Sequence, residues 1–347
     1  MKIGVLTSGG DCPGLNAVIR AIVRKCDQFG YEAVGIKQGW QGIMDEAYVP
    51  MSLNSVAGII NRGGTILGTS RFSPFQVEKG EEKLKHKIAK EQFDALITIG
   101  GEGSMHIAQQ AQKIGINVIG VPKTIDNDIN GTDYTFGFDT AVGIATEAID
   151  RLHTTAESHH RVMILEVMGR HAGWIALYSG IAGGADVVVI PEKKTKIDDI
   201  VRVIKSRYER GKLFSIIVVA EGATFVEEEL SDLKKKSGIK DKLDDFGRIR
   251  LGGISHLLAE ELEDRTGFDT RATILGYVQR GGVPSAFDRV LGTRFGIYSV
   301  EMVKEKKFGR MCAIRSNTII DIPITEAISR LKTVDLEIYK VAQVFFK

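Results

Sequence analysis

Residues 2–29 read KIGVLTSGGDCPGLNAVIRAIVRKCDQF, and the order of events in this stretch decides the fold. The apolar run Ile3–Leu6 reads as a strand. It stops at Thr7-Ser8-Gly9-Gly10-Asp11, and past Pro13-Gly14 an amphipathic helix is expected over Asn16–Phe29. The same order returns where Ala95–Ile99 ends in Gly100-Gly101-Glu102-Gly103-Ser104 and runs into a helical pattern over Ser104–Ile114. Working outward, further strand candidates are Ala33–Lys37, Val118–Val121, Val162–Val167, Val187–Ile190, Ile216–Ala220 and Thr273–Val278. Helical patterns cover Asp139–Glu157 and Ile197–Arg210. Short strands alternating with longer helices indicate right-handed βαβ crossovers and parallel sheets, with ligands bound off the carboxyl ends of the strands. Only residues 225–250 break the rhythm, with charge runs and little apolar content, and are expected to form a surface insertion.

Composition narrows the function classes. The chain of 347 residues carries 46 Lys plus Arg against 44 Asp plus Glu, a balance that offers no charge-driven reason to coat nucleic acid or adsorb to a membrane. Apolar residues at 43% and only 7 Pro exclude disorder. Three cysteines without a CxxC spacing make neither a disulfide framework nor a zinc site, so a reduced, cytoplasmic setting is expected. The N-terminal apolar run is too short for a signal peptide, and no uninterrupted apolar stretch is long enough to cross a membrane. The length accommodates two ordinary domains or one large one. Glycine is in excess, at 39 residues including six Gly-Gly pairs, and the positions of those pairs carry more meaning than their number.

Bare backbone at a helix N-terminus offers unbonded N–H groups and the positive end of the dipole, which suits phosphate. Two such junctions on neighbouring strands, after Leu6 and after Ile99, favour a phosphate site over a pair of ordinary tight turns. Neither is a GxxxxGK[ST] or a strict GxGxxG fingerprint. Glu102 between glycines is a natural Mg²⁺ anchor, because that ion takes one or two carboxylates plus phosphate oxygens. Directly after Val118–Val121 stands Pro122-Lys123-Thr124-Ile125-Asp126-Asn127-Asp128. Its two carboxylates suit a proton acceptor and an assistant; the alternative is an Asx-turn capping the next helix. Arg71, Arg161, Arg170, Arg271 and Arg280 lie at strand ends or beside glycines, where a guanidinium fork binds phosphate oxygens bidentately. His159-His160 reads as a solvated helix end, and Trp40 and Trp174 as packing residues.

Taken in order, SGGDCPGLN, NRGGTILGTSR, IGGEGS, PKTIDNDI, EAIDRL, VMGRHAG, AEG and TRATILGYVQRGG resemble the phosphofructokinase family over nearly the whole chain. The resemblance implies two Rossmann-like α/β domains with mainly parallel sheets and an active site in the crevice between them. Residues 1–137 with 279–329 would bind ATP and Mg²⁺, and residues 138–278 with 330–347 the fructose 6-phosphate. It implies transfer of the ATP γ-phosphate to the 1-hydroxyl of fructose 6-phosphate, the committing step of glycolysis. Gly10, Arg71, Phe72, Gly101, Glu102, Gly103 and Ser104 would hold the nucleotide phosphates, with Glu102 at the metal. Asp126 would be the base, with Thr124 and Asp128 beside the sugar. Met168, Gly169, Arg170, Glu221, Tyr277 and Arg280 would line the sugar phosphate site. Arg161 and Arg271 would complete that site in a neighbouring subunit of a homodimer or homotetramer.

Three departures from the family pattern bear on that reading. Glu102 stands where Asp is common, and Tyr277 where His often stands. At the two positions tied to donor choice, Gly103 is the ATP type and Lys123 the pyrophosphate type, a mixture that resembles the mixed-substrate subgroup. Glycine leaves room for a nucleotide's inner phosphate, so ATP is the expected donor and pyrophosphate the alternative. Arg20, Arg24, Arg210 and Lys212 sit at places comparable to an effector site, but Leu53 replaces a basic residue of that site. A kinase of NAD or lipid and a catalytically silent nucleotide-sensing subunit are the readings from other classes. Neither accounts for Asp126 within TIDND together with MGRHAG.

Overall fold

The computed structural model describes residues 1–226 and 252–346. The insertion expected at 225–250 therefore lies, apart from its first two residues, outside the described residues. In chain order the strands are β1 (Lys2–Ser8), β2 (Glu32–Ile36), β3 (Tyr48–Met51), β4 (Ala95–Gly100), β5 (Val118–Pro122), β6 (Val162–Val167), β7 (Val187–Val189), β8 (Ser215–Ala220), β9 (Thr270–Ile274), β10 (Arg310–Arg315) and β11 (Thr318–Pro323). They form one seven-stranded and one four-stranded sheet, each in its own unit. The first unit comprises Met1–Thr140 and Arg280–Lys332, the second Ala141–Gln279 and Thr333–Lys347.

In the first unit the strand order is β11-β10-β5-β4-β1-β2-β3. The five inner strands are parallel, while β3 and β11 close the two edges antiparallel. β4 is buried at every residue and β1 at all but its first. That is what a strand with helices on both faces requires, and it explains why both read as continuous apolar runs. Leu6, Trp40, Leu96, Met105 and Val118 belong to one buried cluster. The chain leaves β1 for β2 on one flank and returns to β4 on the other. The carboxyl ends of β1 and β4 thus flank the point where the strand order reverses, the place at which open α/β sheets bind ligands.

Among the described residues the second unit's sheet is wholly parallel, in the order β7-β8-β6-β9. Ile164, Ile217, Val219, Ile200 and Leu258 share its core. Here the chain starts at β6, builds β7 and β8 on one flank and sets β9 on the other, so the reversal falls at the carboxyl end of β6.

Both units are thus α/β with mainly parallel, Rossmann-like sheets. One sequence expectation needs correction. The strand placed at Thr273–Val278 lies earlier, at Thr270–Ile274, and its pairing with β6 ends at Ile274 opposite Glu166. Gly276 then takes a left-handed φ of 51° and the chain winds into a 3₁₀ turn over Gly276–Arg280. Arg271 therefore lies within β9, and Arg280 ends the turn. The structure adds the antiparallel edges β3 and β11 and the helices Ile254–Thr266 and Ala286–Lys304. Trp40 and Trp174 do pack, at 0% and 6% exposed. His159 and His160 are exposed at the end of the helix Phe138–His159.

Candidate active site

The first unit gathers three segments at the carboxyl ends of β1, β4 and β5. After β1, the Gly9–Asp11 turn is anchored by the Gly9 N–H, which donates to the Ser70 carbonyl at 2.9 Å. Its carbonyls are anchored as well. Thr69 Oγ1 donates to Gly9 O at 2.6 Å, Lys123 Nζ to Gly10 O, and Arg280 Nη1 to Asp11 O at 3.4 Å. The 62–70 loop that supplies Thr69 is itself fixed by Asn16. That buried amide donates to Arg62 O at 3.0 Å and accepts from Ile66 N at 2.9 Å. A methyl at Gly63 would lie 2.2 Å from the Gly282 carbonyl, so position 63 has no room for a side chain where these two backbones meet. Beneath the turn, burial pushes the Cys12 thiol well up. Its sulfur donates to Phe136 O at 3.7 Å and acts as a small apolar plug.

After β4, Gly101 is the N-cap of the helix Glu102–Lys113, and Glu102 is its first residue. Ser104 is buried in the first turn, and its Oγ would lie 3.5 Å from a Cβ at Gly9. The two glycine junctions therefore share one locality. A Cβ at Gly103 would meet nothing within 4 Å, so the space beside this residue is open. Arg71 is exposed, while Phe72 is partly buried against the first unit's core.

After β5, Lys123 N donates to Gly100 O at 2.9 Å, tying this segment to the β4 junction. Asp126 N bonds Thr124 Oγ1 at 3.0 Å, and Thr135 Oγ1 donates to Thr124 O at 2.7 Å. Asn127, at φ 52°, accepts from Thr135 N at 3.1 Å. The segment is no cap for the next helix, which begins only at Phe138. Asp126 is 4% exposed, and its Oδ1 is buried and accepts no hydrogen bond among the described residues. A buried carboxylate oxygen left without a donor is uncommon, and it leaves room for a hydroxyl or water to donate to it. Asp128 is held by its backbone, whose carbonyl accepts from Lys332 N at 2.9 Å. Burial lowers the Lys332 ammonium to about 8 against the opposing pull of Asp133 and Asp128. Lys123 is 4% exposed, and burial likewise holds its ammonium below the usual lysine range.

In the second unit the loop after β6 is fixed by side chains from three other elements. Met168 N donates to Gln279 Oε1 at 2.7 Å, Arg170 N to Glu221 Oε1 at 3.0 Å and Gly173 N to Glu192 Oε1 at 3.0 Å. Gly169 is at φ 141° and Arg170 at φ 54°. A non-glycine residue in the left-handed region, held there by a carboxylate on its own N–H, is strain of the kind found at binding sites. Tyr277, in the 3₁₀ turn, is 70% exposed.

The structure thus brings Met168, Gly169, Arg170 and Glu221 together. Arg161 and Arg271 are elsewhere. Both bracket Asp269, Arg161 through Nε and Arg271 at 2.6 Å, at the amino ends of β6 and β9. The length of β6, about 20 Å, separates them from the Met168 loop. Arg280 lies with the Gly10–Asp11 backbone of the first unit. Sequence reasoning missed Asn16, Thr69, Glu192 and Gln279. Each is a polar residue whose hydrogen-bond partner lies far along the chain, and no local pattern marks it.

Among the described residues no three His, Cys, Asp or Glu side chains gather as a metal cluster. Glu102, the first residue of the helix Glu102–Lys113, is a carboxylate that could hold a Mg²⁺ together with the oxygens of a bound phosphate.

A family model described as Phosphofructokinase matches residues 2–303. The chain belongs to the phosphofructokinase family. Among its relatives, the pyrophosphate–fructose 6-phosphate 1-phosphotransferase of Amycolatopsis mediterranei is 54% identical over 347 residues, covering all of both chains. The ATP-dependent 6-phosphofructokinase 2 of Streptomyces coelicolor is 52% identical over 335 residues, 96% of each chain. A solved phosphofructokinase from Saccharomyces cerevisiae superposes with a TM-score of 0.80 at 31% identity, covering 99% of this chain and 46% of its own, so this chain spans about half of it. Phosphofructokinases named for either donor are thus similar to this chain to nearly the same degree. Among the described residues, no helix is long and apolar enough to cross a membrane.

Proposed function

We propose that this phosphofructokinase transfers the γ-phosphate of ATP to the 1-hydroxyl of fructose 6-phosphate, in the cytoplasm, as a homo-oligomer. The observation that carries the reading is the Asp126 carboxylate, buried at the end of β5 with Oδ1 unbonded among the described residues. It accepts the hydroxyl proton as the sugar oxygen bonds to phosphorus. The bond from that phosphorus to the bridging oxygen breaks, ADP departs with the electron pair, and Asp126 returns its proton to solvent. Phosphoryl transfer asks for positioning and charge neutralisation more than for covalent catalysis. In this reading the N–H groups of the Gly9–Asp11 turn and the start of the helix Glu102–Lys113 receive the donor's phosphates, with Gly101 to Ser104, Arg71 and Phe72 beside them. A Mg²⁺ on Glu102, when bound, neutralises charge on those phosphates. Met168, Gly169, Arg170, Glu221, Tyr277 and Arg280 are assigned to the sugar phosphate, with Thr124 and Asp128 near the reacting hydroxyl. Arg161 and Arg271 are assigned to a neighbouring subunit's site, which agrees with their distance from the Met168 loop.

ATP is favoured by the open space beside Gly103. A pyrophosphate-dependent reading is supported by Lys123, whose ammonium lies at the Gly9-Gly10 backbone where a compact donor would sit. A coupled assay with Mg²⁺ and fructose 6-phosphate, run with ATP and then with pyrophosphate, separates them. Asp126→Asn keeps the Thr124 bond to its backbone and is expected to retain sugar binding while losing turnover by about 10²–10⁴-fold. Near-normal turnover removes Asp126 from the base role. Turnover with neither donor returns the chain to the silent nucleotide-sensing subunit.

A further inference from the structure

Three consecutive carbonyls, those of Gly9, Gly10 and Asp11, are each held from outside their turn, by Thr69, Lys123 and Arg280 respectively. No peptide bond in the described chain is cis. In a trans peptide the C=O of one residue and the N–H of the next point in opposite directions. Holding Gly9 O against Thr69 therefore turns the Gly10 N–H the other way, and holding Gly10 O against Lys123 turns the Asp11 N–H the other way. Both of these N–H groups donate to no acceptor among the described residues. Where successive unbonded amides point the same way, they form an anion-binding concavity.

Lys123 is what fixes the middle plane. Its side chain is buried at 4% exposure, its ammonium donates to Gly10 O, and the ammonium lies 3.8 Å from the Cβ position of Gly9. A bond from an ammonium to a carbonyl is stronger than the neutral bond from Thr69. We propose that Lys123 is a positioning residue of the phosphoryl-donor turn: it fixes the Gly10–Asp11 peptide plane so that the Asp11 N–H faces the donor's phosphate, and it sets affinity for ATP and pyrophosphate alike rather than choosing between them. The proposal rests on the donor site assigned above. It departs from a selector role for Lys123, in which the ammonium itself meets one donor and not the other.

Two variants test it, Lys123→Met, which keeps the length and loses the donor group, and Thr69→Val, which releases the neighbouring carbonyl without changing charge. Calorimetric titration with MgATP and separately with Mg-pyrophosphate reads binding whether or not turnover follows, so a failed assignment of activity does not obscure the result. Both Kd values are expected to rise in Lys123→Met by a common factor of about tenfold or more, the loss of one charged hydrogen bond. Thr69→Val shifts both in the same sense by less, and the KM for fructose 6-phosphate stays unaffected. A change confined to one donor in Lys123→Met overturns the proposal. So does a Thr69→Val protein with wild-type Kd values for both donors, because anchoring a carbonyl of this turn then has no effect on donor affinity. Should Lys123→Met fail to fold, Lys123→Gln, which keeps a polar donor without the charge, takes its place, and a change confined to one donor overturns the proposal there too.

Discussion

Asp288 is fully buried at the start of the helix Ala286–Lys304, where its Oδ2 accepts from both Thr140 N at 2.8 Å and Thr140 Oγ1 at 2.5 Å. Those bonds favour the carboxylate, but burial outweighs them and raises its pKa from 3.8 to about 6. A carboxyl whose folded value lies above its unfolded one adds stability that is fully present below the unfolded pKa and is lost as pH rises through the folded pKa. The loss here falls between about pH 4 and pH 6. Two units at 1.36 kcal/mol each make it about 3 kcal/mol. Asp288→Asn removes the ionisation while its Oδ1 can still accept from Thr140; its NH₂ then needs an acceptor, an offset that does not vary with pH. The unfolding free energy of Asp288→Asn minus that of the wild type, from urea titrations at several pH values, is therefore expected to climb by about 3 kcal/mol from pH 4 to pH 7. Subtraction cancels the other carboxylates. A difference that stays flat across that range refutes the reasoning, since it means that the folded carboxyl ionises normally.

Two further outcomes follow from the geometry. A Cβ at Gly103 meets nothing within 4 Å, so the thermal unfolding of Gly103→Asp should match the wild type while kcat/KM for ATP falls by about tenfold or more; unchanged ATP turnover would remove the steric and electrostatic argument at this residue. Glu166, 1% exposed, accepts from Gly253 N at 2.8 Å, Ser255 N at 2.9 Å and Ser255 Oγ at 2.6 Å. Glu166→Ala strands those donors at the start of the helix Ile254–Thr266 and should cost about 3 kcal/mol in urea unfolding; a cost below about 1 kcal/mol would show that water replaces the carboxylate freely.

The parallel core was legible because burial on both faces forces strands to be apolar throughout, and Ile3–Leu6 and Ala95–Ile99 could be nothing else. The glycine junctions were legible for a related reason: Gly9, at φ 84°, takes a backbone conformation that few residue types adopt, and Gly101 caps the helix that follows. The edges were not. Tyr48–Met51 is short, only partly buried and carries Pro50, as edge strands do. The β10–β11 hairpin turns through Ser316 and Asn317, at φ 45° and 65°, without the glycine that signals such turns. The supports of the site escaped notice because buried polar residues look like surface ones in a one-dimensional pattern. Gln279 is 0% exposed and holds the Met168 amide, 111 positions away. Only folding makes them neighbours.

The division of the chain has a consequence for its synthesis. The first unit's sheet needs β10 and β11, which begin at Arg310, although β1 to β5 are complete by Pro122. The second unit's four strands are all made by Ile274, yet Val334 N bonds Glu192 and Tyr339 OH bonds Val188 O from a segment that follows both. On the ribosome, therefore, β5 waits with an unpaired edge while nearly two hundred residues are added. An exposed parallel edge is a template for wrong pairing. The speed of translation between Pro122 and Arg310 should bear on the yield of folded protein more than its speed anywhere earlier.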